Sequence, residues 1–486
     1  MGNDTMIQSD EECHTIKLEQ VEMLYGLEAG GYRLCYYQSV VIQVVTEPSS
    51  LVISTNQTNC VEFVVNEQII DVVCGVDEFN DVTTHGFLSL FILFLMEINF
   101  FTLFGLMDVP EKEVDYSTVQ KIQTIICSIA VGCTYNSDIN HQLVPYTNEA
   151  ELLDMKRFPD QSLINRFLRH MDFDTLNQLD IIFNLVTQYY SLASMLSEKV
   201  NLDIDSTGLI ANGKNYKFNR KGYFSKRRGA RGYQLSLCIS ALTKDILVHA
   251  FMPGNHHTPS DFIELIFGAA EVLGSFDRIG IIRSDSAYGT AINLDFLIDH
   301  GLHFVIKGCN NKSFKEIIAN ISPVEWEYVN NTMSIFDAGE RNIPQSSNNY
   351  CARVIMLKYI TSKGKIKFAH IYTTLEWDAI DIFEFYNNRQ CIEATIRTEK
   401  GFLNIKNLRT RDTFGINTFL YLAFMTHNLL NFFKKSVLEP LGFRNIGIRN
   451  IIRKLMNIPA KVTKELSRIV LLFPDKHYYT KELLST

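Results

Sequence analysis

The sequence predicts an α/β protein built on a mixed sheet, and three observations carry that expectation. Apolar and polar residues alternate strictly from Val200 to Asp205, the period of a half-buried strand. From there to Lys307 the runs read strand, strand, strand, helix, strand, helix, strand. Between Gly86 and about Ser197 the apolar spacing is helical, so a helical region precedes the sheet, and an acidic segment precedes both.

Each element has its own signal. Residues 1–80 hold two strand-like stretches, Ser39 to Val45 and Val61 to Val73, separated by a turn-forming region. The apolar run Gly86 to Met107 is interrupted by Ser89, Glu97, Asn99 and Thr102, which favours a buried helix over a membrane span. Asp160 is placed to cap a helix over Gln161 to His170, whose Arg166, Arg169 and His170 form a basic edge. That helix is open to two readings, a DNA-contacting helix-turn-helix or an ordinary packing helix.

In the sheet, Val200, Leu202 and Ile204 face one side and Asp203 and Asp205 the other. Gly232 to Ala241 and Asp245 to Met252 are strands joined by a turn at Thr243-Lys244. A helix over Pro259 to Leu273, with Thr258 as its cap, leads to the buried strand Arg278 to Arg283. Thr290 to His300 is a helix and His303 to Lys307 a strand, after which Ala352 to Ile360 and Lys365 to Thr373 read as an insertion. His256 and His257, beside Asp261, read as loop or supporting residues rather than metal ligands.

Composition narrows the function. A chain of 486 residues with 46% apolar content suggests two or three globular domains. Ten cysteines without a Cys-x-x-Cys pair argue against a zinc ribbon or a disulfide scaffold and fit a reducing compartment. Met1 to Cys13 is acidic and polar, so a secretory signal is not expected and a cytoplasmic location is. The net charge of −8 hides an asymmetry, because residues 1–80 carry 13 acidic and 2 basic side chains. Residues 401–486 carry 14 basic against 5 acidic side chains, a basic end suited to an anionic polymer.

The chemistry lies in residues far apart along the chain. Read as one helix, Tyr386 to Lys400 puts Tyr386, Arg389, Glu393 and Lys400 on a single stripe. Asp205 on the first strand, Asp285 at the end of the fourth and Glu393 on this helix are expected to converge at one edge of the sheet. Three carboxylates together repel unless cations neutralise them, and hard oxygen ligands suit Mg²⁺ or Mn²⁺. Two such ions about 3.5–4 Å apart activate a nucleophile and stabilise the leaving oxygen of a phosphodiester. Arg389 and Lys400 would hold phosphates nearby, with Tyr386 bonding or stacking.

Between the first two strands, Lys214 to Arg231 holds eight basic residues, among them Lys221, Lys226, Arg227, Arg228 and Arg231, interleaved with Tyr216, Phe218, Tyr223 and Phe224. Such density without an acid fits contact with a nucleic-acid backbone. Trp326 in the insertion is a candidate for stacking on a base.

In order and spacing these residues resemble the DDE transposases of prokaryotic insertion sequences, the group with an RNase H-like core and a Tyr-x2-Arg-x3-Glu-x6-Lys signature. Asp203-Ile204-Asp205-Ser206-Thr207, Lys221-Gly222-Tyr223 with Lys226-Arg227-Arg228-Gly229, and Arg283-Ser284-Asp285-Ser286-Ala287-Tyr288 carry the likeness further, over about residues 86–435. The resemblance selects Asp205 over Asp203 and makes Asp205, Asp285 and Glu393 catalytic and metal-binding, with two ions per site. It implies cut-and-paste transposition of double-stranded DNA: nicking at terminal inverted repeats, a hairpin intermediate, and transfer into target DNA by a homodimer associated with a prokaryotic nucleoid. The implied organisation is an acidic segment at 1–80, a helical DNA-binding domain at 81–198, an RNase H-like core at 199–309, a β-rich insertion at 310–376, the core's last helices with Glu393 at 377–435, and a basic helical region at 436–486. The rival reading is a domesticated or inactive transposase-derived DNA-binding protein, and terminal inverted repeats flanking the gene discriminate the two.

Overall fold

The computed structural model describes residues 83–111, 115–222, 224, 227, 229–465 and 468–474, with backbone strands at 14–17, 41–44, 54–56, 60–65 and 68–76. Its centre is a ten-stranded mixed sheet. The strands are β1 (Val200–Ile210), β2 (Arg220–Lys221), β3 (Arg231–Ser240), β4 (Ile246–Pro253), β5 (Ile279–Ser284), β6 (His303–Lys307), β7 (Glu327–Asn330), β8 (Met333–Asn342), β9 (Cys351–Ile360) and β10 (Ile366–Thr373). They lie in the order β7-β8-β9-β10-β6-β5-β1-β3, with β2 and β4 sharing the outer edge of β3.

The first five long strands form an RNase H-like core. β1, β3 and β4 are antiparallel neighbours, and β5 and β6 run parallel to β1 on its other side. The inserted strands do not form a separate layer. β10 pairs antiparallel with β6, so β7 to β10 extend the core sheet through its last parallel strand.

Ten longer helices accompany the sheet: α1 (Gly86–Glu97), α2 (Thr118–Ala130), α3 (Gln161–His170), α4 (Phe173–Tyr190), α5 (Phe262–Leu273), α6 (Ala291–Asp299), α7 (Lys312–Asn320), α8 (Ala379–Asn387), α9 (Gln390–Gly401) and α10 (Thr413–Phe433). α5, α6 and α7 cover the face carrying Val200, Leu202 and Ile204. The opposite face, through Leu209, Leu235, Leu237 and Ile239, shares one apolar core with α1 to α4 and α10. The helical region is therefore welded to the sheet. Asp160 caps α3 as expected, accepting from the amides of Ser162 and Leu163. Thr258, expected as a cap, instead opens a 3-10 turn ahead of α5, and its hydroxyl meets that of Ser206.

All of α1 except Met96 is buried, with Phe91 and Phe94 packed on Phe433 of α10. Among the described residues no helix is long and apolar enough to cross a membrane, and the apolar run bends by 62° after Glu97. The C-terminal region differs from the expected helices. Helical turns reach Leu455, but Lys461–Glu465 and Arg468–Pro474 are strands, and the second pairs in parallel with Gln68–Val76. β-branched and apolar residues in Val462-Thr463 and Ile469-Val470-Leu471 favour that outcome.

Tyr386 to Lys400 is also not one helix. α8 and α9 are separated by a turn at Asn388-Arg389. α9 is fixed on α10 by a buried ion pair, His427 Nδ1 to Glu399 at 2.7 Å. Burial alone would lower the His427 pKa, but Glu399, helped by Asp245 and the Lys244 carbonyl, outweighs it and raises the imidazole above 6.5. A raised value means the pair stabilises fully below about pH 6.5 and loses that contribution as pH rises through the folded-state value. Chemical denaturation against pH, compared with the Glu399→Gln/His427→Gln variant, is expected to show a wild-type advantage that shrinks on going alkaline. A pH-independent difference would assign no stabilising role to the charge.

Candidate active site

The site begins with strand geometry. Asp203 and Asp205 are two residues apart on β1 and share a face. β5 lies parallel beside it in a register that sets Arg283 against Asp203 and Ser284 against Ile204. Asp285, the next residue, follows that pairing at the end of the strand, near enough for its charge to act on Asp205. Asp205 accepts from the Ser206 amide at 2.8 Å and Asp285 from the Ala287 amide at 2.9 Å, which orients both carboxylates.

Glu393 reaches the strands through Arg389. One guanidinium nitrogen lies 3.1 Å from Asp205 Oδ2 and another 3.3 Å from Glu393 Oε1. The Tyr386 ring stands 5.9 Å from the same guanidinium. Burial pushes the Asp205 pKa up, Arg389 opposes this, and Asp285 adds to it, so the carboxyl stays above its ordinary value. Burial likewise raises Tyr386, again opposed by Arg389 and reinforced by Asp285 and Asp205. Tyr386, Arg389, Asp205 and Asp285 thus feel one another directly. Glu393, with its side chain 54% exposed, forms the open side of the site.

Among the described residues no group of three His, Cys, Asp or Glu side chains is close enough to hold an ion. The physical reason is Arg389, whose guanidinium sits between Asp205 and Glu393 and supplies there the positive charge that the acids require. The donor set still suits a hard divalent cation, with Asp205 and Asp285 adjacent and Glu393 one side chain away.

Asp203 is occupied otherwise. Fully buried, it receives a two-pronged bond from Arg283, Nε to Oδ1 at 2.7 Å and Nη2 to Oδ2 at 2.8 Å. The third guanidinium nitrogen donates to the Phe385 carbonyl of α8 at 2.6 Å, the guanidinium lies 4.5 Å from the Phe385 ring, and the Cys391 thiol of α9 donates to Asp203. Sequence reasoning missed this pair, although an arginine inside an apolar strand, opposite a buried-side aspartate, was its signal.

The other sequence candidates spread out. The Lys400 ammonium donates to Thr207 Oγ1 and to the Gly208 carbonyl at 2.9 Å, tying α9 to β1 rather than standing free. Lys221 and Arg227 are exposed, whereas Arg231 is spent on Asn219, and Lys226 and Arg228 lie outside the described residues. Phe224 is buried against Gly208, where any Cβ would come within 2.2 Å of its ring. Lys217 anchors the same loop to Asp412 at 2.5 Å. Trp326 precedes β7 at the far edge of the sheet, six strands from β1, and packs with Phe336, Phe368 and Lys358. The geometry does not bring it to the carboxylates within one chain.

A family model, transposase DDE domain group 1, matches residues 109–486. The chain belongs to this family. It is accordingly a DDE-type DNA transposase, of a family that works with divalent metal ions. A comparison with curated proteins finds no match. Among solved structures the chain is similar to a piggyBac transposase synaptic complex with hairpin DNA, at 13% identity and a TM-score of 0.46, over 77% of this chain and 79% of that one.

The buried pair in this transposase predicts a specific fragility. Asp203→Leu leaves Arg283 buried without its counter-charge and is expected to destabilise the fold by about 3–5 kcal/mol, read as a shift of the urea midpoint. A change under about 1 kcal/mol would mean that the pair does not hold the strands.

Proposed function

We propose that Asp205, Asp285 and Glu393 form the catalytic centre of a metal-dependent cut-and-paste transposase acting on the terminal inverted repeats of an insertion sequence. The observation that carries this reading is the arginine bridge: Arg389 touches both Asp205 and Glu393, 188 positions apart, while strand register sets Asp285 beside Asp205. A buried cation coordinated by two acids, with a third alongside, marks a place built for positive charge.

In this reading Asp205, Asp285 and Glu393 would hold two Mg²⁺ or Mn²⁺ ions, which would supply Lewis-acid polarisation and an activated oxygen nucleophile for in-line attack on phosphorus. The residues of the chain do the rest. Arg389, which reaches both Asp205 and Glu393, would offer its guanidinium to the phosphate being cut. Tyr386, held un-ionised by burial, donates to a phosphate oxygen. Lys400 fixes α9 on β1 at Thr207 and Gly208, so that Glu393 keeps its height above the two aspartates. Lys221 and Arg227, exposed on the loop beside β1, contact the DNA backbone, and a homodimer pairs two element ends.

A nicking assay on an end-bearing duplex with Mg²⁺ or Mn²⁺ tests the assignment. Asp205→Asn, Asp285→Asn and Glu393→Gln are each expected to lower the cleavage rate by at least about a thousandfold while duplex affinity stays within a few-fold. Wild-type cleavage by any one of them would remove that residue from the centre.

A further inference from the structure

α9, which carries Glu393, ends at Gly401, and the next residue, Phe402, is half-buried. Two guanidinium groups stand over its ring, that of Arg449 at 5.0 Å and that of Arg453 at 4.7 Å from the ring centre. They are four residues apart in the helical run Ile448 to Leu455 and both are exposed. Neither takes part in an ion pair or a hydrogen bond to protein among the described residues. One aromatic ring therefore gathers two like charges, an arrangement that a bound anion would relieve.

The surroundings share that sign. Between residues 394 and 460 there are three acidic residues, and each is neutralised: Glu399 by His427, Asp412 by Lys217 and Glu439 by Lys435. Among the described residues the exposed Arg397, Lys406, Arg444 and Lys454 have no such partner. Arg397 lies one helical turn beyond Glu393 on α9, so the positive surface begins at the candidate active site.

We propose that Arg449 and Arg453, clamped on Phe402, are a phosphate-binding site for the backbone of duplex DNA, a track that leads the strand along α9 toward Glu393. Planar guanidinium groups match phosphodiester oxygens in fork geometry, and the stacking on Phe402 fixes them in advance, which lowers the ordering cost of binding. The proposal rests on α9 being the helix that faces DNA, and it adds a contact outside the signature residues.

The test uses the full-length chain and fluorescence anisotropy with a labelled end-bearing duplex over a range of NaCl concentrations, with Ca²⁺ in place of Mg²⁺. Arg449→Ala/Arg453→Ala is expected to bind about tenfold more weakly, and the slope of log K against log salt to fall by about two, one for each lost phosphate contact. Arg449→Lys/Arg453→Lys keeps the charges and is expected to recover most of the slope. Lys363→Ala/Lys365→Ala, exposed in the turn between β9 and β10, is expected to match wild type. Unchanged affinity and slope in the Ala pair, or equal losses in the β9–β10 control, would overturn the clamp. Maximal nicking at saturating DNA is read separately: its absence in wild type with the slope change intact would keep the clamp and reject the catalytic assignment.

Discussion

The buried fork between Arg283 and Asp203 is the constraint on which the site depends. It sits two residues before Asp285 on one strand and two before Asp205 on the other, so it fixes the register of the two strands at the point where their carboxylates must be neighbours. The same guanidinium accepts no freedom on its outer side, because its third nitrogen is bound to the Phe385 carbonyl and its face to the Phe385 ring. One side chain thus ties β1, β5 and the helix pair that brings Arg389 and Glu393. An ion pair this deep costs much desolvation, and an apolar pair would stabilise the fold as well or better. Its return is specificity of placement: a slip of one residue in β5 would break both prongs and turn Asp285 to the other face.

Around that anchor the charge is balanced in layers. Arg283 satisfies Asp203 permanently, inside the sheet. Arg389 satisfies Asp205 and Glu393 nearer the surface, where the Glu393 side chain is exposed. Burial holds the Asp205 carboxyl above its ordinary value, with Arg389 opposing and Asp285 adding to the effect. Farther out, Arg449 and Arg453 stand over Phe402, with no acidic partner among the described residues. Positive charge becomes progressively less committed to protein along the path from the core to the surface, which is the gradient a polyanion would follow.

Much of this was legible in the primary structure because it is local. Alternation marked β1, the Ser-Asp-Ser after Ile282-Arg283 marked the end of β5, and Asp160 marked the start of α3. The order of elements was sufficient to put Asp205, Asp285 and Glu393 at one edge. What escaped was set by contacts between distant segments. The fork joins residues 80 positions apart, Lys400 is consumed by β1 rather than left for a ligand, and Trp326 is carried to the far edge because β7 to β10 extend the sheet instead of folding back. The C-terminal strands escaped for the same reason, since their helical neighbours and basic composition concealed a partner near residue 70. The stripe on Tyr386 to Lys400 survived the break at Asn388-Arg389, for the turn keeps αR angles and rotates Arg389 toward Asp205 without losing Glu393.

In the proposed reading Arg389 occupies a place made for metal charge between carboxylates that strand register has brought together. Anomalous diffraction from crystals grown with Mn²⁺ and end DNA tests it most directly. Manganese peaks bound by Asp205 and Asp285 are expected, with Glu393 joined to the set and Arg389 released from it. Full occupancy of the Arg389 bridge, with no manganese at either aspartate, would contradict it.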